Sequence, residues 1–443
     1  MSKQAKIIGL SAKGRFFLSL FFLTVTVVPV MLFWDLYDRR PRPLVAASYP
    51  RLTYWEVQSI DTMKYSRDLA REKARDNGFD PVIDDTMRKI AAAGATHAAV
   101  GTPYDEEFFP FLERWVKAAR KYNLLIWFRG NWCGWEGWFD YPPLTAAEHI
   151  IRTKDFILKY PEIFRENDIF TACPECENGH SGDPRENGEV EAFRRFLLAE
   201  QAAVSEAFTA INRKVRSNLT SMNGDVARLV MDKETTAGLG GIVTIDHYVA
   251  TPAALLSDID ELVAFSGGRI VLGEFGVPIP DISGKMNDQE KADWIREALE
   301  KIASDRRIIG VNYWLGTGGT TELWSGDGVV RPAYYVLENY YKPLTWRGLV
   351  KDELGRPVGG AEIAGSKQAA TTDANGYFAV FRLRAANETF TVKAPGYRDS
   401  TAEANDPSSL ATVMLIRENP SAWYNLRKGI KKVNDGLYRY FAR

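Results

Sequence analysis

Between Leu52 and Tyr341 short apolar runs alternate with longer amphipathic ones, and this alternation constrains the chain more than any other feature of it. The short runs are 52–57, 97–101, 124–128, 169–172, 215–219, 242–245, 270–272 and 309–313. Continuous apolarity over a few residues marks a strand covered on both faces, as in a parallel sheet. Between them, 84–93, 106–121, 146–159, 190–213 and 288–303 place apolar residues three and four apart, the helical period. Eight strands with intervening helices in under three hundred residues predict an α/β chain with a (β/α)8 TIM barrel over 52–343. A doubly wound open sheet is the alternative. Polar and aromatic residues gather after nearly every strand, as a barrel with its loops on one face requires.

The flanks read differently. Residues 16–34 contain no charge and, at about 1.5 Å per residue, are long enough to cross a hydrocarbon core of about 30 Å. They are expected to form an uncleaved transmembrane helix rather than a cleaved signal. Lys3, Lys6, Lys13 and Arg15 precede it with no acid among them, which puts residues 1–15 in the cytoplasm. The rest of the chain is then periplasmic or extracellular, with 35–51 as a linker stiffened at Arg40-Pro-Arg-Pro43. Beyond Pro343 the pattern changes to short alternating stretches with turn signals, such as Asp373-Ala-Asn-Gly376, and predicts a small β-sandwich over 346–417. Residues 420–443 form a basic amphipathic helix whose apolar stripe faces an anionic membrane or packs on the protein. A net charge of −1 lacks the basic footprint of nucleic-acid binding.

Candidate chemistry sits at the strand ends. Arg269-Ile-Val-Leu-Gly-Glu-Phe-Gly-Val-Pro278 reads as a buried strand ending in Glu274 between two glycines, expected to let the backbone turn. After strand four, Glu175 and Glu177 are two apart and share a face if the strand continues. A carboxylate pair across a barrel mouth is what glycoside hydrolysis needs, one member ionised and the other able to give a proton. The loop after strand three, Arg129-Gly-Asn-Trp-Cys-Gly-Trp-Glu-Gly-Trp138, offers Arg129 and Asn131 as hydroxyl ligands. Its Trp132, Trp135 and Trp138 are candidate stacking surfaces for pyranose rings or, equally, a hydrophobic cluster under a loop. Cys173-Pro-Glu-Cys176 has no second ligand cluster for zinc, and no metal is expected. A disulfide from Cys133 to Cys176 or Cys173 suits an oxidising exterior.

These features resemble the clan A glycoside hydrolases, the barrel enzymes typified by the cellulases and mannanases of family 5. Gly-Glu-Phe-Gly around Glu274 looks like the strand-seven nucleophile, and Glu175 like the strand-four acid/base, with Glu177 as the alternative acid/base. Asp246-His247-Tyr248 looks like the element that positions the nucleophile, through His247 and Tyr248, and Trp314 like the platform under the reacting sugar. One departure stands out: Pro174 precedes Glu175 where the family usually has an Asn that binds the sugar 2-hydroxyl. Either Asn178 or Asn218 supplies that contact, or the chain is a divergent member, or the site is impaired. Residues 346–417 resemble the carboxypeptidase regulatory-like, transthyretin-type fold, a module without chemistry.

The resemblance implies a retaining glycoside hydrolase without cofactor, acting on a polysaccharide; the expected anchor at 16–34 adds membrane attachment and a role in trimming or remodelling an exported or cell-envelope glycan, with synthase or export components as partners. A transglycosylase using the same site, or a catalytically impaired glycan-binding scaffold subunit of an export machine, is the alternative.

Overall fold

The computed structural model describes residues 53–179, 182–365, 369–382, 388–404 and 410–441. The expected membrane span at 16–34 lies outside them, and among the described residues no helix is long and apolar enough to cross a membrane. The chain divides into two compact units, one of them Thr53–Pro343 and the other beginning at Leu344.

The first unit is a ring of parallel strands: β1 (Val57–Asp61), β2 (His97–Val100), β3 (Leu125–Phe128), β4 (Ile169–Phe170), β5 (Ser221–Asn223), β6 (Ile242–Asp246), β7 (Arg269–Phe275) and β8 (Ile308–Tyr313). They pair in the order β4-β3-β2-β1-β8-β7-β6-β5. Its two ends are joined by 214–219, just before β5: Arg216 N–H donates to the Asp168 carbonyl (2.8 Å), and Phe170 N–H to that of Arg216 (2.8 Å). Val57, Ala99, Trp127, Ile169, Leu219, Ile242, Val271 and Ile309 form one buried cluster, a residue from each strand or its lead-in, so the interior is filled and not a pore. The helices Ala146–Lys159 and Asp288–Ala303 run between the expected bounds, each opened by a capping box, Thr145 with Glu148 and Asn287 with Glu290.

Two strands differ from expectation. The first is 57–61 rather than 52–57, because Tyr54 and Trp55 are core aromatics ahead of the strand, while the strand itself buries Gln58, Ser59 and Asp61. The fifth is Ser221–Asn223, with the apolar run 215–219 serving only as the closing lead-in. The glycines around Glu274 also serve another purpose. Neither has a positive φ; a Cβ on Gly273 would lie 2.3 Å from Asp246 Oδ1, and one on Gly276 2.2 Å from the Trp314 carbonyl oxygen. They allow close approach rather than a turn.

The second unit contains a four-stranded sheet (Ala369–Thr371, Glu362–Ala364, Thr389–Lys393, Ser400–Glu403) and a three-stranded one (Tyr377–Arg382, Leu344–Asp352, Ala411–Leu415). Trp346, Ile363, Phe378, Phe390 and Val392 are in the core they enclose. The helix Ala422–Phe441 rests on this unit by its polar edge: Tyr424 is buried with Arg356 and Arg417 over its ring (5.3 and 5.1 Å), and Lys428 pairs with Glu353. Of its apolar stripe, Trp423, Leu426 and Val433 are 56%, 52% and 62% exposed, while Ile430 is half-buried.

Candidate active site

At the carboxyl ends of the strands the barrel interior turns from apolar to charged. Asp61 ends β1, Arg129 follows β3, Asp246 ends β6, Glu274 is the penultimate residue of β7 and Asn312 that of β8. All five are buried. Arg129 binds the others together. Its Nη1 donates to Asp61 Oδ2 (3.0 Å) and to the Gly273 carbonyl (2.8 Å), and its Nη2 to Asp246 Oδ2 (2.8 Å) and Glu274 Oε1 (3.2 Å). Asn312 Nδ2 donates to the same Asp61 oxygen (3.1 Å) and the same carbonyl (2.8 Å). Burial opposes the Arg129 charge, but Asp246, Glu274 and Asp61 more than offset it and hold the guanidinium cationic. Arg129 is therefore a counterion to the acids rather than the free hydroxyl ligand the sequence suggested.

Glu274 receives a second donor from the other side, the Tyr248 hydroxyl, at 2.6 Å from Oε2. Burial pushes the Glu274 acid up to about 8, with the nearby Glu175 and Asp61 charges adding to the rise, while Arg129 and the Tyr248 hydrogen bond pull it down. Burial likewise raises Asp246 and Asp61, again against the pull of Arg129. His247 does not reach the Glu274 carboxylate. Its Nε2 meets Asp258 Oδ2 at 2.7 Å, and only its backbone N–H bonds Glu274, at the carbonyl (3.2 Å).

Glu175 comes from the opposite side of the ring. It occupies the left-handed region (φ +47°, ψ +50°), uncommon for a residue with a side chain. Its N–H donates to the Ser221 carbonyl (2.9 Å), and the residues on either side of Pro174-Glu175 are joined by a disulfide, Cys173–Cys176. This pairing replaces the expected one to Cys133, which is a buried free thiol whose N–H is taken by Asp105 Oδ2 (2.8 Å). One oxygen from each of Glu175, Asp246 and Glu274 lies within 4.8 Å of the others. Such a carboxylate group could attract a cation, but the Arg129 guanidinium already supplies positive charge to two of the three. His149, Cys173 and Glu200 also cluster, with Cys173 committed to the disulfide and His149 Nδ1 to Glu200 (2.6 Å).

A cavity of about 300 Å³ opens over these groups, lined by Met63, Arg67, Arg129, Glu136, Trp138, Pro174, Glu175, Asn178 and Glu274. Glu177 is not among them. Its Oε1 accepts from the Asn223 backbone N–H (2.6 Å) and side-chain Nδ2 (2.9 Å), which ties the loop after β4 to the end of β5. Burial pushes its acid up to about 7. Glu175, not Glu177, is the loop carboxylate that faces Glu274.

Several expected ligands lie elsewhere. Trp132 is buried, its Nε1 donating to Thr153 Oγ1 (3.0 Å), and Trp135 is buried in a stack on Phe196 (5.2 Å between centroids). Of the three loop tryptophans only Trp138 reaches the cavity wall. Asn131 is a buried cross-link, its Oδ1 taking the Trp132 N–H (2.8 Å) and meeting His149 Nε2 (2.8 Å), while its Nδ2 donates to Glu136. Asn218 precedes β5 and bonds the Gly240 carbonyl (3.4 Å) ahead of β6, away from the strand ends that carry the site. Trp314, just after β8, is half-buried, its backbone N–H donates to the Phe275 carbonyl at the end of β7 (2.9 Å), and it is not among the residues lining the cavity. Asn178 is exposed and lines it. The groups that sequence reasoning passed over are Asp61, hidden by the misplaced first strand, Arg67, and Glu136, which stands in the tryptophan loop beside Trp135. Burial and the charges of Glu175 and Glu177 push the Glu136 acid up to about 8.

Residues 345–415 match the family model of the carboxypeptidase regulatory-like domain. None of the curated proteins matches the sequence. Among solved structures, the chain is similar to a GH5_18 protein from Streptomyces cattleya in complex with Manβ1-4GlcNAc, at 15% identity and a TM-score of 0.50, over 69% of this chain and 85% of that one. It is also similar to a GH5_18 protein from Bifidobacterium longum subsp. longum with the same disaccharide (15% identity, TM-score 0.48, 71% of this chain and 86% of that one). A third is the β-D-glucuronidase of Dictyoglomus thermophilum (14% identity, TM-score 0.44, 65% and 50%). The chain spans about half the length of the glucuronidases it matches. The likeness to the Streptomyces cattleya structure is one of fold, the parallel barrel, and residues 345–415 belong to the carboxypeptidase regulatory-like domain family.

Proposed function

We propose that the barrel is a retaining glycoside hydrolase acting on a polysaccharide. The observation that carries this reading is the approach of Glu175 and Glu274, one carboxylate oxygen of each lying within 4.8 Å of the other beside one cavity. Carboxyl separations of about 5 to 5.5 Å suit a double displacement, whereas inversion needs about 6.5 to 9.5 Å to admit a water. Glu274, held by Arg129 and Tyr248, attacks the anomeric carbon while Glu175 gives its proton to the departing glycosidic oxygen, which leaves as an alcohol. Water then enters, Glu175 takes its proton, and the hydroxide displaces Glu274 from the sugar. The two donors on Glu274 favour its ionised form, as a nucleophile requires. Trp138 supplies an aromatic face to the cavity and Asn178 a polar one.

The apolar run 16–34 would tether this site on the exterior or periplasmic side of a membrane, suited to a polysaccharide being made or exported, beside its synthase or export components. The spacing of the carboxylates favours an active enzyme over a binding scaffold. The test is product release from a panel of β-glucans, mannans and bacterial exopolysaccharides by the chain and by Glu274→Ala, Glu175→Ala and Glu177→Ala. Loss in the first two with activity retained in the third is expected, and full activity in Glu274→Ala would sink the reading.

A further inference from the structure

Arg67 is a cation in the cavity wall that the double displacement does not use. It stands on Lys64–Asp68, a single wide turn after β1 in which the Leu69 N–H donates five residues back to the Lys64 carbonyl (3.3 Å). Such turns are rare and recur at functional sites. The guanidinium lies over the Trp138 ring, 5.1 Å from its centroid, and its Nε donates to Asp68 Oδ1 (2.9 Å). The aromatic ring and the Asp68 bond hold the group from two directions. Its two Nη groups make no hydrogen bond to any described side chain or carbonyl, and the residue is half-buried.

A planar guanidinium held in this way is shaped for a bidentate carboxylate, which accepts two parallel N–H bonds from it. A neutral sugar can meet the fork with adjacent hydroxyls, but only a carboxylate also balances its charge in a partly desolvated wall. We propose that Arg67, backed by Trp138, is the specificity subsite for a carboxylate-bearing sugar, a uronic acid residue of the glycan. This rests on reading the cavity as a sugar site. It narrows the substrate class to acidic polysaccharides. The competing role for Arg67 is to neutralise Glu136 in the same wall, in which case its removal would affect neutral and acidic sugars alike.

Calorimetric titration of the full chain with matched pairs, glucuronate and glucose, galacturonate and galactose, mannuronate and mannose, separates these roles. At least one acid is expected to bind about tenfold or more tightly than its neutral partner, the scale of a hydrogen-bonded charge pair. Arg67→Gln should abolish that preference and Arg67→Lys restore only part of it, since a point charge lacks the fork. Trp138→Phe, which keeps a ring in the wall, checks the same subsite if Arg67→Gln fails to fold, and should weaken the acid more than its partner. A preference that survives Arg67→Gln overturns the proposal, as does the absence of any preference, including the absence of binding, in all three pairs. Uronate binding through Arg67 without cleavage of any glycan would sink the hydrolase reading and leave the subsite standing; cleavage without acid preference would do the reverse.

Discussion

Replacing Arg129 by Met removes a buried cation of similar volume and leaves three buried carboxylates, Asp61, Asp246 and Glu274, with one fewer counterion. Breaking a buried ion pair costs about 3–5 kcal/mol when the orphaned charge must stay charged. Here the acids can instead take up protons, so the cost depends on pH. Arg129 lowers the acids of Asp61, Asp246 and Glu274, and its loss raises them further, Glu274 above its present value of about 8. A carboxyl group with a folded pKa above its unfolded one contributes stability that is complete below the unfolded value, near 4.5, and is lost as pH rises through the folded value. Arg129→Met should therefore be mildly destabilised at pH 5 and destabilised by about 3 kcal/mol or more at pH 8. Urea-unfolding midpoints at the two pH values read this directly, with Arg129→Lys as a partial rescue. On the kinetic side, the proposed mechanism has Glu274 act ionised, so the acid limb of kcat/KM should move to higher pH. Equal destabilisation at both pH values, or a total effect below about 1 kcal/mol, would refute the view of Arg129 as the counterion of the site.

Glu177 is buried with its Oε2 lacking a hydrogen-bond partner among the described residues, and its acid is raised from 4.5 to about 7, so by the same sign it loses stability as pH climbs from about 4.5 to 7; Glu177→Gln should be more stable than the parent at pH 8 by about 1–3 kcal/mol, measured by urea unfolding, and no more stable at pH 4. Reduction of the Cys173–Cys176 disulfide, or Cys176→Ser, should free Glu175 from its left-handed conformation; kcat should then fall about tenfold to a hundredfold with KM little changed, and unchanged kcat would show that the disulfide does not position Glu175 for the proposed reaction. Leu426→Glu with Val433→Glu should abolish sedimentation with anionic vesicles by residues 45–443 without lowering the melting temperature, because both side chains already face solvent.

The barrel was legible because most strands are apolar on both faces and the helices between them keep their period. Legibility failed where a strand buries polar groups for the site. Gln58, Ser59 and Asp61 make β1 read as a loop, and Ser221 to Asn223 do the same for β5. At the site, Glu274, Glu175 and Tyr248 were visible as single residues at strand ends, and the structure brings all three to one point. What a linear reading could not supply was pairing across the ring: Arg129 meets partners 68, 117 and 145 positions away, and nothing local distinguishes it from a free ligand. The tryptophan loop misled for a related reason. Its glycines let Trp132 and Trp135 fold back into the core, so only the last of the three aromatic rings reaches the wall.

The placement of Arg129 also bears on how such a ring can be divided. Cut between β4 and β5, the first half would keep Arg129 with its partner Asp61. The second would hold Asp246 and Glu274 on neighbouring strands with no buried cation between them. The later half can bury its strand ends alone only by keeping both acids protonated, a demand that grows as pH rises and that the earlier half's arginine relieves. A fragment running from β5 to β8 should stay loose at its carboxyl-end face until the β1 to β4 fragment is added, so that the two are assembled by charge exchange and not by sheet pairing alone.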